Sequence, residues 1–180
     1  MTAAPLAAVP RLPVKLPPLP DTLTEASAAR RFAEQYGERL RYDHRRKRWL
    51  VWTRHYWRPD DTGHVVRLVL QAVKLWQHQA VTEITDVNQR TAVLQWALGF
   101  ERRAKYLALL GTAENLEPLT DAGDRWDVDP WLLGVPNGVV NLRTGELRDG
   151  KPEDRITMQA GVAYDPEATC PRWELFMREI

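Results

Sequence analysis

The part of the sequence with the clearest chemical character is the basic segment from Arg30 to Arg58. It carries ten Lys or Arg side chains against three Asp or Glu, an excess of seven positive charges. Four of the cations are adjacent in the sequence. The same segment contains four aromatic residues, Trp49, Trp52, Tyr56 and Trp57. Cations that track phosphates and rings that stack on bases are the combination that binds single-stranded nucleic acid. The pattern predicts a DNA contact through Arg45, Arg46, Lys47, Arg48, Arg54 and Trp57.

The same residues allow a second interpretation, in which the tryptophans form a core and the arginines form a solvated surface. Large aromatic side chains dominate small hydrophobic cores, so we expect Trp52 to be buried and leave Trp57 open. A run of like charges repels itself and usually serves a partner. Phosphate contact and a solvated surface therefore both remain open for the four adjacent cations.

Other residues capable of chemistry do not have the spacing of a known site. The single cysteine, Cys170, excludes an intrachain disulfide and is expected to be a small buried group. The histidines lack the i, i+4 pairing or the cysteine company of a zinc site. We expect a solvated loop, and not a calcium loop, from four aspartates whose spacing is wrong for that metal: Asp121, Asp124, Asp127 and Asp129.

The sequence contains no G-x-x-x-x-G-K-[ST] phosphate loop. That loop cradles the phosphates of ATP in helicases and related ATPases. We therefore expect this chain to have no ATPase or helicase activity and to need no cofactor.

Length and composition limit the class of protein. With 180 residues and 44% apolar content, the chain suits one domain with a core and a tail, and its net charge of +1 makes the distribution of charge more informative than the total. No apolar run approaches the length of a membrane-spanning helix. Residues 1–22 are rich in proline and lack the basic start of a signal peptide. We expect a disordered leader, a cytoplasmic location and no membrane partner.

Periodicity and cap residues predict the elements between residues 23 and 130. A helix capped by Thr24 should end at Gly37. Residues 40–58 should form a small antiparallel β meander with the adjacent cations at its first turn, and apolar residues on both of its faces predict packing on both sides. Three helices should follow up to about Gly111, the second of them capped by Asp86. Residues 116–130 should form an acidic loop.

The C-terminal part carries turn signals at regular spacing. Residues from Trp131 to Leu147 predict a β hairpin with reversals at Asn137-Gly138 and at Arg143-Thr144-Gly145. An extended run then reaches a turn at Tyr164-Asp165-Pro166. Together with the upstream elements, this predicts an α+β fold in which a meander and a C-terminal hairpin pack with three to four helices.

A last helix should open at Pro171, with Trp173 on its apolar stripe. Because no C-cap signal precedes Ile180, we expect the chain to be a fragment or an early stop. The predicted organisation is a leader over 1–22, an accessory domain over 23–168, and the start of a helix over 169–180.

These C-terminal signatures, in their order, resemble the N-terminal accessory domain of phage and plasmid primase-helicases of helicase superfamily III, relatives of the poxvirus primase-helicase. The resemblance is carried by NGVVNLRTGEL, then YDPEA, then CPRWELF, and extends upstream to about Leu23. It departs at Asn141, where the family more often carries Asp. It implies a structural motif formed by Asn137, Gly138, Arg143, Thr144, Gly145, Tyr164, Asp165, Pro166, Pro171 and Trp173.

The resemblance implies an accessory role in the replication of a phage, prophage or plasmid, next to a helicase domain that would follow this chain. The expected partners are single-stranded or primer-template DNA and the helicase domain of the parent protein or another replication protein. The alternative is a protein-interaction collar that makes no contact with nucleic acid. A small metal-dependent nuclease would need carboxylates clustered with His or Lys, and the sequence gives it little support.

Overall fold

The computed structural model describes residues 16–179, and within them the fold is α+β, as predicted. The elements in chain order are α1 (Glu25–Tyr36), β1 (Leu40–Asp43), β2 (Arg48–Trp52), β3 (Trp57–Pro59), α2 (His64–Glu83), α3 (Val87–Gly99), α4 (Arg103–Ala113), β4 (Thr120–Asp121), β5 (Leu132–Val135), β6 (Gly138–Asn141), β7 (Glu146–Arg148) and α5 (Pro171–Glu179). The strands form a first sheet in the order β3-β2-β1-β4 and a second sheet in the order β5-β6-β7.

Helices α1 and α3 begin at the predicted cap residues. The Thr24 side chain accepts a hydrogen bond from the Ser27 backbone N–H, and the Asp86 side chain accepts one from the Gln89 N–H, so both satisfy a donor of the first helical turn. The expected end of the third helix at Gly111 is wrong, because α4 continues through this glycine to Ala113. Helix α1 packs against α4, and α2 packs against α3.

The first sheet is covered on both faces, as its sequence predicted. On one face, Leu40 and Val51 join the main core, which the helices complete with large side chains such as Phe32 and Trp76. On the other face, a smaller cluster is formed by Leu50, Trp52, Trp57 and Trp126. Because neither face is open to solvent, the exposed functional groups of this sheet lie at its turns and edges.

The predicted acidic loop contains a strand and several buried contacts. Thr120–Asp121 forms β4, which pairs in parallel with β1 and adds a fourth strand to the predicted three-stranded meander. The Asp121 carboxylate accepts a hydrogen bond from Arg155 Nη2 at 2.5 Å. Asp127 accepts from the backbone N–H groups of Thr157 and Met158. The expectation of a solvated loop is therefore wrong for these two aspartates.

The second sheet consists of the three antiparallel strands that the two predicted reversals imply. Gly134 pairs with Val139 and Val140 pairs with Leu147, so β6 lies in the middle. A Cβ atom at Gly138 would lie 2.4 Å from the carbonyl oxygen of Arg148, which is closer than such atoms can approach. Glycine is therefore required where β6 begins.

The two ends of the described chain differ from expectation. The leader prediction for residues 1–15 lies outside the described residues, but Pro17 is buried and Leu19 packs against Ala80, Ile84 and Val93. The end of the predicted disordered leader is thus part of the packed domain. Cys170 is exposed, not buried. Helix α5 begins at Pro171 as predicted, and its described side chains are all exposed.

Candidate nucleic-acid interface

The four adjacent cations, Arg45 to Arg48, lie where β1 turns into β2, and we call them the basic turn. Asp43 pairs with Arg48 across the two strands and closes the turn. Its carboxylate is fully buried and accepts hydrogen bonds from the Arg46 backbone N–H at 3.0 Å and from Arg46 Nη1 at 3.1 Å. Because one buried carboxylate binds both backbone and side chain, it fixes the path of the turn.

A neighbouring loop supports the turn from behind. Arg46 Nη1 also donates to the carbonyl oxygen of Gly123 at 3.0 Å. A Cβ atom at Gly123 would lie 2.1 Å from Oδ1 of Asp43, and the residue has a φ of +84°, so both space and backbone favour glycine here. The loop therefore comes so close to the buried carboxylate that a residue with a side chain at position 123 would clash with it.

His44 attaches the start of the turn to the end of α4. Its Nε2 lies 2.9 Å from the carbonyl oxygen of Glu114 and 3.0 Å from Oγ1 of Thr120. The ring also makes an edge contact with Tyr42, which makes another with Trp49. Tyr42 and Trp49 face each other across β1 and β2 and are half-buried, so they are the aromatic residues next to the basic turn.

The cations of the turn differ in their exposure to solvent and in their contacts with Asp43. Arg45, Arg46 and Lys47 are exposed, and Lys47 has a left-handed φ of +50° that projects it at the tip. Arg48 is half-buried, and its Nε lies 4.0 Å from the Asp43 carboxylate with no hydrogen-bond partner among the described residues. Arg45 and Lys47 are therefore the two cations best placed to meet an external phosphate.

Two predicted DNA-binding residues are not part of this surface. Arg54 is exposed but lies in the β2–β3 turn, at the other end of β2 from the basic turn. The five residues of β2 place about 14 Å between these ends at roughly 3.4 Å per residue. Trp57 is 1% exposed and its Nε1 donates to the carbonyl oxygen of Pro152 at 3.0 Å, so its ring is enclosed and cannot stack on a base. Trp52 is buried, as expected.

The structural motif implied by the resemblance is connected by hydrogen bonds. Asn137 and Tyr164 bond reciprocally at 2.9 Å, with Nδ2 of Asn137 donating to the Tyr164 carbonyl and the Tyr164 N–H donating to Oδ1 of Asn137. The Tyr164 hydroxyl donates to the carbonyl oxygen of Gly145. Asn137 therefore does more than form a turn: it fastens the segment before α5 to the second sheet. Turn spacing alone gave no signal for this partner.

The remaining motif residues have local roles. The guanidinium of Arg143 lies 4.4 Å from the centre of the Trp131 ring, and its backbone N–H donates to Oδ1 of Asn141. This second contact gives Asn141 a polar role beside the turn. The Thr144 hydroxyl accepts from the Glu146 N–H, and Asp165, next to Pro166, accepts from Glu167 in the predicted turn.

Among residues 16–179, no three His, Cys, Asp or Glu side chains converge in a way that could hold a metal ion. No helix in that part of the chain has the length and apolar character needed to span a membrane.

Residues 29–180, most of the chain, match the protein family described as "D5 N terminal like". The chain belongs to this family. Membership confirms the resemblance to the N-terminal accessory domain of primase-helicases and supports a module associated with replication. A stretch of 42 residues is also 45% identical to "Putative helicase 022R" of Frog virus 3 (isolate Goorha), and it covers 23% of this chain and 4% of the viral protein. The chain thus spans a small fraction of that relative's length.

Proposed function

We propose that this chain is a non-catalytic accessory module of a phage or plasmid primase-helicase, and that its basic turn binds the phosphate backbone of single-stranded or primer-template DNA near the helicase. On this proposal the module acts in the cytoplasm, needs no cofactor, and leaves ATP hydrolysis to the helicase domain of the parent. The observation that carries the proposal is the pair of exposed cations Arg45 and Lys47, which form no salt bridge within residues 16–179, on a turn held by a buried carboxylate.

The way in which the turn is held supports binding. A flexible loop loses conformational freedom when it binds, and this loss weakens the complex. Here the bonds from Asp43 to Arg46, and from Arg46 to Gly123, fix the backbone before any ligand arrives. Arg45 and Lys47 are then presented with little further ordering of the main chain.

The positive charge of the turn also supports phosphate binding. In the described residues, Arg45 and Lys47 form no salt bridge, and Arg46 and Arg48 share the single carboxylate of Asp43. Four cations against one buried anion leave a positive surface that attracts phosphate. Beside it lie the half-buried rings of Tyr42 and Trp49, the second of which also packs against the main core.

The test is a double variant, Arg45→Ser with Lys47→Asn, in which Asn tolerates the left-handed backbone at position 47. We expect weaker binding to a fluorescent oligothymidylate. The slope of log K against log salt should become shallower by up to about 0.7 for each lost phosphate contact, or about 1.4 in total. The unfolding free energy should change by less than about 0.5 kcal/mol per position, because both side chains are exposed.

The matched control is Lys74→Gln with Arg103→Gln, which removes the same charge from exposed positions on α2 and α4. This control should leave the salt slope close to that of the wild type. If the Arg45/Lys47 variant keeps both its affinity and its slope, the basic turn does not contact DNA.

A second candidate function is protein interaction without nucleic acid, and α5 favours it. Trp173, Leu175, Phe176 and Met177 are each more than half exposed. Large apolar side chains grouped in this way mark surfaces that bind another protein. If this function holds, Trp173→Ser with Phe176→Ser should abolish calorimetric binding to the purified helicase domain of the same replication system. DNA affinity would then be negligible at every salt concentration in the wild type.

A further inference from the structure

A second group of basic residues lies where β3 leads into α2. Arg58 lies in β3, the edge strand of the first sheet, and His64 and Arg67 lie in the first turn of α2. Arg39, just before β1, is close enough to His64 to act on its charge, as are Arg58 and Arg67. We call these four residues the β3–α2 cluster. Arg58 and His64 are half-buried and Arg67 is exposed, so a ligand can reach the cluster from solvent.

The carboxylate of Asp60, just before α2, is held by hydrogen bonds to the backbone. Both oxygens of Asp60 accept backbone hydrogen bonds at the start of α2, from His64 N–H at 2.7 Å and from Val65 N–H at 2.8 Å. No salt bridge joins Arg58 or Arg67 to a described carboxylate, although Asp61 is next in the chain. Arg67 instead donates to the carbonyl and hydroxyl oxygens of Thr62. These contacts are to neutral oxygens, so they orient the guanidinium without supplying a negative charge.

The cluster also lies near the basic turn. The Asp60 N–H donates to the carbonyl oxygen of Trp49 at 3.0 Å, and Trp49 directly follows Arg48. The connection to α2 therefore starts beside the first residues of β2. A strand of nucleic acid that meets one group of cations is within reach of the other.

We propose that the β3–α2 cluster is an anion site for a backbone phosphate of a nucleic acid, with Arg58 and Arg67 as the binding cations and His64 as the titratable group of the same cluster. Neither Arg58 nor Arg67 forms a salt bridge among the described residues, and guanidinium groups are the side chains best matched to phosphate. The site uses none of the residues of the basic turn. It is therefore a separate assignment, which holds whether or not that turn contacts DNA.

His64 provides a direct measure of occupancy. Burial lowers the pKa of His64 below its usual value, the charges of Arg67, Arg58 and Arg39 lower it further, and Asp60 acts in the opposite direction. A bound phosphate would favour the imidazolium and raise this pKa. By linkage, binding must then strengthen as the pH falls through the titration range of His64.

The experiment follows the pKa of His64 by NMR of its ring protons in the wild-type chain, with the resonance assigned from a His64→Gln variant. The probes are an oligothymidylate without terminal phosphates, inorganic phosphate, and chloride at equal ionic strength. We expect the oligothymidylate to raise the pKa of His64 by about half a unit or more, relative to chloride. This shift corresponds to at least roughly threefold tighter binding to the protonated form.

The double variant Arg58→Gln, Arg67→Gln should start from a higher pKa of His64 and should no longer respond to the oligothymidylate. Lys74→Gln, an exposed change further along α2, should respond like the wild type. An unchanged pKa of His64 with the oligothymidylate, or a shift with inorganic phosphate alone, would reject the nucleic-acid site. Repeating the titration in the Arg45→Ser, Lys47→Asn variant separates the two sites. At a saturating oligonucleotide concentration, the pKa of His64 should still rise in this variant, even if the basic turn no longer binds DNA.

Discussion

At the scale of single residues, Asp43 links the stability of the domain to its basic surface. Replacing it with Asn keeps the shape of the side chain but removes the charge that faces Arg46 and Arg48. We expect Asp43→Asn to lower the unfolding free energy by about 1–3 kcal/mol, the usual cost of leaving buried polar groups poorly paired. Urea denaturation measures this loss.

Asp124→Asn is the matched control, because Asp124 is exposed in the neighbouring loop and is one residue from Gly123. It should change the unfolding free energy by less than about 0.5 kcal/mol. Equal effects of the two substitutions would show that the buried carboxylate does not hold the turn.

A second residue-scale prediction concerns Asp154 and acid stability. Burial alone would raise its pKa, but the hydrogen bonds from Arg148 and from the Lys151 backbone N–H outweigh burial and lower it. A lowered folded-state pKa contributes stability above the unfolded-state value near 4, and this contribution disappears as the pH falls through the folded-state value.

We therefore expect Asp154→Asn to be less stable than the wild type at neutral pH, by about 1–2 kcal/mol. The difference should stay nearly constant down to about pH 5 and should shrink as the pH falls further, through the unfolded-state pKa near 4 and then through the lower folded-state pKa of Asp154. Chemical denaturation at a series of pH values gives the two curves. Parallel curves over that range would contradict the assigned role of the Arg148–Asp154 pair.

At the scale of elements, the glycine inside α4 is a position where we expect a substitution to raise the stability of the domain. Gly111 is exposed and helical, and a Cβ atom built on it would meet nothing within 4 Å. Alanine has a higher helix propensity because it restricts the unfolded chain more than glycine does. We expect Gly111→Ala to raise the unfolding free energy by about 0.5–1 kcal/mol and the thermal midpoint with it. A fall in the midpoint would mean that position 111 needs the freedom of glycine.

The same glycine shows why some element boundaries could be predicted and others could not. Thr24 and Asp86 satisfy N–H groups of their own helices, so a local pattern was enough to place them. Gly111 looked like a stop because glycine is common there, but the packing of Leu109, Leu110 and Ala113 carries the helix past it. Tertiary contacts overrode a weak local preference.

Strand β4 is a clearer case. It is only two residues long and pairs in parallel with β1, whose partner residues lie almost eighty positions earlier in the chain. Nothing in its immediate sequence marks it as a strand, because the pairing is set by the helices between. The partly buried salt bridge between Asp121 and Arg155 could not be predicted either, because its two residues are far apart in the chain.

The site was predictable to a similar degree. Four adjacent cations between two strand patterns located the basic turn correctly, because turn and charge are both local properties. The burial of Trp57 could not be predicted, because it depends on Trp126 and Pro152, which come from distant parts of the chain. The β3–α2 cluster was missed because its residues are spread from 39 to 67.

At the scale of the whole molecule, the reciprocal bonds between Asn137 and Tyr164 join the second sheet to the segment before α5. Asn137→Ala removes both bonds, whereas Tyr164→Phe removes only the hydroxyl bond to Gly145. We expect faster hydrogen exchange at the Tyr164 amide in Asn137→Ala and a smaller effect in Tyr164→Phe, whose lost bond is worth about 0.5–1.5 kcal/mol. Equal exchange rates in both variants would show that the segment is held by other contacts.

This fastening also sets how far α5 can move. Beyond Tyr164, the hydrogen bonds of the described residues join only near neighbours in the chain, and six residues separate Tyr164 from Pro171. Fully extended, such a stretch spans roughly 20 Å. Any protein that binds α5 is therefore tethered beside the second sheet. Its effective concentration at that sheet is on the order of millimolar. A contact too weak to form between free molecules would be well populated at that concentration.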